Sequence, residues 1–183
     1  MILPIYAFGQ NVLKKVAVDI DLKDPELASL ISDMWETMYN AKGIGLAAPQ
    51  VGKSVRIFLV DTAQIAEEGE DKGLKEVFIN AQVIQETGDT WSYEEGCLSI
   101  PRLTGDVERP EKIEIKYYDA DMKEQHRTFQ GMEARVIQHE YDHIEGILFT
   151  ERLKPLKKRL MSRKLDHIKK GNIDVDYKMK FKK

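Results

Sequence analysis

Gln138-His139-Glu140-Tyr141-Asp142-His143 contains the pattern H-E-x-x-H. Side chains four apart lie one above the other on a helix, so His139 and His143 can reach a single divalent cation. Glu140, between them, can reach a water beside that cation. Met132 and Val136 fall on the same face in the two preceding turns, so the face points inward. An inward pair of histidines with a glutamate needs partners that offset its desolvation, and a metal ion is the usual one. The pattern predicts a helix from about Gly131 to Glu145, ended at Gly146. The rest of the chain has to bring a third ligand and a cleft to that helix.

On the C-terminal side, Ile147-Leu148-Phe149 reads as a short apolar strand or edge. Pro155 to Lys170 reads as a helix whose apolar face is Leu156, Leu160, Met161, Leu165 and Ile168. From Arg152 onward only Asp166, Asp174 and Asp176 oppose many lysines and arginines. That run is either a solvated helix face with a frayed tail or a basic surface for a phosphate-rich partner.

On the N-terminal side, Lys112–Tyr118 alternates with Ile113, Ile115 and Tyr117 on one face. Asp119-Ala120-Asp121 is a turn and Glu124–Phe129 the return strand, which predicts a hairpin. Val55–Val60 and Glu76–Ile84 are strands, and Thr87-Gly88-Asp89 is a turn. Residues 61–76, acid-rich around Gly69 and Gly73, read as a solvated loop. Asp24 as N-cap and Pro25 at the first helical position open a helix striped by Leu27, Leu30, Ile31, Met34 and Met38. Gly43 stops it. Gly43-Ile44-Gly45-Leu46-Ala47-Ala48-Pro49-Gln50-Val51-Gly52 is small and uncharged, and reads as a tight connector or as a binding loop.

A chain of 183 residues, 42% of them hydrophobic, can bury one core and not comfortably two. The expectation is a single domain over 1–183, with a core of about 1–153 and a basic helix and tail over 154–183. The net charge of −3 gives no bulk preference for DNA or a membrane. No signal-peptide pattern opens the chain, and no apolar run approaches the ~18 residues of a membrane span. A soluble, cytoplasmic protein is expected, and the single cysteine, Cys97, fits a reducing compartment.

For the third ligand the sequence offers Cys97, Glu151 and His167. Cys97 follows Gly96, where the backbone can bring a sulfur close. Glu151 lies just past the site helix, and His167 and His126 read as solvated. A Cys-His-His set accepts ferrous iron, zinc, nickel or cobalt.

Three stretches together resemble the signature motifs of the peptide deformylases, in that family's order. They are Gly43-Ile44-Gly45-Leu46-Ala47-Ala48-Pro49-Gln50, Glu95-Gly96-Cys97-Leu98-Ser99 and Gln138-His139-Glu140-Tyr141-Asp142-His143. The resemblance implies an α+β fold: antiparallel β-sheets around a central HExxH helix, with an N-terminal and a C-terminal helix. It implies removal of the formyl group from the N-formylmethionyl end of nascent chains, with release of formate. By the same resemblance Cys97, His139 and His143 match the metal ligands, and Glu140 the general base and acid. Gln50 and the Leu98 N–H match the groups that hold the formyl oxygen. Gly45 matches the backbone that pairs with substrate, and Ile44, Met132, Val136 and His139 the methionine pocket. The implied cofactor is one divalent ion, Fe²⁺ first, with Zn²⁺, Ni²⁺ or Co²⁺ as alternatives. In some members of the family the C-terminal helix docks on the ribosome.

Two charged pairs are expected to brace the site: Glu95 with His139, and Arg109 with Asp142. The rival readings are a zinc peptidase that takes Glu151 or His167 as third ligand, and a ribosome- or RNA-binding module with a structural metal.

Overall fold

The computed structural model describes residues 1–66 and 72–182. Glu67, Glu68, Gly69, Glu70 and Asp71 of the expected acidic loop lie outside them. The described elements are β1 (Ile5–Tyr6), α1 (Leu27–Asn40), β2 (Gly45–Ala47), β3 (Ile57–Asp61), β4 (Lys75–Cys97), β5 (Ile100–Tyr118), β6 (Glu124–Gln130), α2 (Gly131–Ile144), α3 (Pro155–Lys169) and β7 (Met179–Lys180). The fold is α+β. Strands β2 to β6 form one antiparallel sheet in sequence order. The second sheet is not antiparallel: β1 and β7 pair in parallel, Ile5 opposite Met179.

Strand β3 explains the middle of the molecule. All five of its residues are buried. Phe58 and Val60 pack with Phe78, Tyr117, Phe129 and Ile137, the last from α2. Ile57 and Leu59 face the other way, onto Met34 and Met38 of α1. A strand covered on both faces has no polar side, hence the uninterrupted apolar run. Helix α2 packs against β2, β3, β5 and β6. Gly146 follows it at φ +73, where a Cβ would meet the Lys14 carbonyl at 2.8 Å.

Several expectations are corrected. Helix α1 begins at Leu27, later than Asp24-Pro25, although Asp24 Oδ1 accepts a bond from the Glu26 N–H at 2.8 Å. Lys42, not Gly43, takes the left-handed conformation (φ +57) that ends the helix, while the Gly43 N–H reaches back to the Met38 carbonyl. Thr87-Gly88-Asp89 is no chain reversal. Strand β4 runs through it with a shift in register, and Gly88 at φ +85 supplies the bulge. Cys97 pairs with Ile100, so Leu98-Ser99 is the two-residue tip of a long β4–β5 hairpin. Phe149–Arg152 is a 3₁₀ turn, not a strand, with Glu151 capping the Leu148 N–H.

On α3, Met161 and Ile168 are buried, but Leu156 and Leu160 are 70% and 69% exposed. Among the described residues the tail packs back onto the N-terminal strand. Gly171 (φ +76) turns the chain back and β7 joins β1. None of the described helices is long and apolar enough to cross a membrane.

Candidate metal centre

Helix α2 and the tip of the β4–β5 hairpin meet at Cys97, His139 and His143. One ligand atom from each lies within 4.8 Å of the other two. Cys97 Sγ is 3.3 Å from His143 Nε2. The His139 Nδ1 lies 2.8 Å from Glu95 Oε1, which leaves Nε2 for the cluster. The set fits a tetrahedral-type cation: a soft sulfur, two imidazole nitrogens and a fourth side open to a cavity. That cavity, of about 400 Å³, is lined by Ile44, Gly45, Gln50, Leu98, Met132, Val136 and Glu140 together with Cys97 and His139. His143 lies beneath it, buried. Of the rival ligands, Glu151 caps Leu148 and pairs with Lys14, and His167 is exposed on α3.

Electrostatics separate the two histidines. Burial, and then His139, push the His143 pKa well down, toward the neutral imidazole that ligates. Burial would lower His139 too, but Cys97 and Glu95 outweigh it and raise it well above its ordinary value. A cation bound here therefore takes the place of a proton. Burial lifts the Glu140 carboxyl to about 7, and its Oε2 is buried without a partner. Gly45 makes room for Glu140: a Cβ there would lie 2.3 Å from Glu140 Oε1 and push that side chain aside. The Gln50 Oε1 accepts the Ala47 N–H at 2.9 Å, which turns its amide NH₂ toward Cys97 Sγ (3.4 Å) and Ser99 Oγ (3.2 Å).

Glu95 organises the support. It accepts from Arg109 Nε (2.7 Å) and Nη2 (2.9 Å) and from Arg135 Nη1 (2.9 Å), besides His139. Burial alone would raise its pKa, yet the bonds from Arg109 and His139 hold it well below the carboxylate range. Arg109 continues to Asp142 at 2.9 Å, and Arg152 closes on the same carboxylate. Both expected braces are therefore within hydrogen-bond distance.

Three participants escape sequence reasoning. Arg135 stacks 4.4 Å above the Trp91 ring, and its position one turn before His139 on α2 is the signal that could have revealed it. Ser99 is buried beside Gln50 and gives no signal beyond its motif. Tyr177 reaches the cavity from the lysine-rich tail, and nothing in its local sequence marks it.

The sequence profile of the family described as polypeptide deformylase matches residues 2–159. The chain belongs to that family. Deformylases are metal-dependent hydrolases that remove the N-formyl group from nascent polypeptides, and this enzyme does so. It is similar to the peptide deformylase of Christiangramia forsetii, 56% identical over 99% of this chain and 96% of that one. It is similar to that of Cytophaga hutchinsonii at 51%, over 99% and 98%. The crystal structure of the Legionella pneumophila peptide deformylase superposes with a TM-score of 0.81 at 37% identity, covering 94% of this chain and 98% of that one. That of the Synechococcus elongatus deformylase, in complex with actinonin, gives 0.78 at 38%, covering 88% and 85%.

Proposed function

We propose that Cys97, His139 and His143 hold the catalytic cation of this deformylase, and that α2 is the helix around which the antiparallel sheet builds the site. The observation that carries the reading is the convergence of these three donors within 4.8 Å of one another, two of them, Cys97 and His139, lining the cavity. Ferrous iron is the ion we assign, and the same donor set suits Zn²⁺, Ni²⁺ or Co²⁺. The cation, when bound, supplies Lewis acidity toward a water and the formyl carbonyl.

The chain's own groups do the rest. Glu140 takes a proton from the attacking water and returns it to the departing amine. Gln50 Nε2 and the Leu98 N–H donate to the formyl oxygen as negative charge develops there. Ile44, Met132 and Val136 wall the space for the methionine side chain. Strand β2 is the edge of its sheet, which leaves the outer side of Gly45 free to pair with an extended peptide. Gln50→Ala is expected to lower kcat for formate release from a formyl-methionyl dipeptide by about 10²–10³. Wild-type kcat in that variant would remove Gln50 from the reaction.

The reading takes 1–183 as one catalytic domain, supported by the pairing of the tail with β1, and places the enzyme in the cytoplasm with the nascent chains. It also includes ribosome docking through α3, where Lys157, Lys158, Arg159 and Lys164 are exposed around Leu156 and Leu160. Co-sedimentation with ribosomes at low salt should weaken when these four cations become glutamines, and should weaken as well when salt is raised. Binding that ignores both changes would sink the docking idea.

A further inference from the structure

The tip of the β4–β5 hairpin is held from outside by the two ends of the chain. Phe8 N–H donates to the Ser99 carbonyl at 2.9 Å. Tyr177 Oη donates to the Leu98 carbonyl at 2.7 Å. The two holders are tied to each other: Ile5 N–H donates to the Lys178 carbonyl and Ala7 N–H to the Lys180 carbonyl, at 2.8 and 3.0 Å. Met179 packs into the cores on both sides of this pairing. Tyr177 thus hangs from an anchored strand, not from a loose end.

The tip needs such holders. The middle peptide plane of a two-residue turn, here Leu98–Ser99, is the one whose orientation differs between turn types, so a donor on its carbonyl selects one of them. Two successive carbonyls, of Leu98 and Ser99, are each given one donor. The Leu98 side chain packs closely on the Gly43 backbone, where a Cβ would lie 2.8 Å from Leu98 Cδ1. The Leu98 N–H lies in the Cys97–Leu98 peptide plane, anchored on one side by Cys97 opposite Ile100. Holding the next plane through the Leu98 carbonyl anchors the other side, so the direction of the Leu98 N–H is set before substrate arrives. An oxyanion donor works by being aimed in advance, so a small loss of aim lowers the rate without weakening ground-state binding.

We infer that Tyr177 is a positioning residue for deformylation, acting through the Leu98 carbonyl to aim the Leu98 N–H at the formyl oxygen. This rests on the Leu98 role proposed above. Tyr177 lies beyond residues 2–159, the part matched by the family profile, in the C-terminal segment that follows α3.

The test uses the full-length, metal-loaded enzyme with a formyl-methionyl dipeptide. Tyr177→Phe keeps the ring and removes only the donor. Its kcat is expected to fall about five- to ten-fold, the effect of one neutral hydrogen bond, with KM at the wild-type value, measured at a temperature where both proteins are fully folded. Unchanged kcat, or a change in KM alone, would overturn the inference. A fall in kcat that tracks a lowered thermal midpoint, and vanishes at a temperature where both proteins are fully folded, would overturn it too. Gln50→Ala run beside it separates the two levels. If Gln50→Ala is slow and Tyr177→Phe is not, the carbonyl clamp stands and the Tyr177 role falls. If neither is slow, the clamp itself is wrong and the inference falls with it.

Discussion

Glu140→Ala is expected to lower kcat for formate release by about 10²–10⁴, the usual contribution of a positioned general acid–base group, while the protein still binds one metal ion per chain. Glu140 is not among the three converging donors. Its carboxylate lies against Gly45, inside the cavity, and one of its oxygens is buried with no protein partner. A buried carboxylate oxygen without a partner is costly, and the residue that carries it lines the cavity where water and substrate would meet. Burial sets its pKa to about 7, near the optimum for moving a proton in both directions at neutral pH. A cation at the three donors works the other way and lowers that value.

The same shift gives a second readout. A carboxyl whose folded pKa is raised from 4.5 to about 7 opposes folding when ionised. The penalty is absent below the lower value, grows between the two, and is full above the higher. In chelator-treated protein at pH 8, the thermal midpoint of Glu140→Ala should therefore not fall below wild type. Near-wild-type turnover in the variant, or loss of its metal, would sink the assignment of Glu140 as acid–base.

What the sequence displays and what it hides follow from the range of the interactions. Helix α2 is visible because its periodic face and its terminating glycine are local. So is the β5–β6 hairpin, where Asp119 caps the turn it sits in through its contacts with the backbone N–H groups of Asp121 and Lys123. The conversion of Thr87-Gly88-Asp89 from turn to bulge is invisible, since Gly88 suits either and the choice depends on β5 lying alongside. The β1–β7 pair is hidden for the same reason. Ile5 and Met179 carry no mutual signal, and a lysine-rich tail has the composition of a solvated one. The three motifs around Gln50, Cys97 and His139 name the site because each is short and chemically unusual. The Glu95 network was only half readable. Glu95 and Arg109 are charges beside the motifs, whereas Arg135 is one charge among several on α2 and only the structure shows it buried.

Cys97→Ser is expected to lose both metal and turnover, with kcat/KM falling by on the order of 10⁴ or more, because water with no cation beside it keeps a pKa of about 15.7 instead of about 7. A serine oxygen is harder and far less acidic than a thiol, so it is a poor replacement for sulfur on a late divalent cation. Neither rival ligand is placed to substitute. Glu151 spends one carboxylate oxygen on the Leu148 N–H (2.8 Å) and on Lys14 (2.5 Å), and His167 stands exposed on α3. A peptidase that used either as third ligand would tolerate Cys97→Ser and fail on Glu151→Gln or His167→Ala. The present site predicts the reverse, with metal content per chain as the direct measure. The effect should be specific to the metal because Cys97 is also fixed by the backbone: it sits opposite Ile100 in the hairpin, whose pairing does not depend on sulfur. Cys97→Ser should therefore remain folded, with an unchanged far-UV spectrum, while its two histidines alone hold the ion too weakly to survive dialysis. Stoichiometric metal after dialysis would mean that the third ligand lies elsewhere.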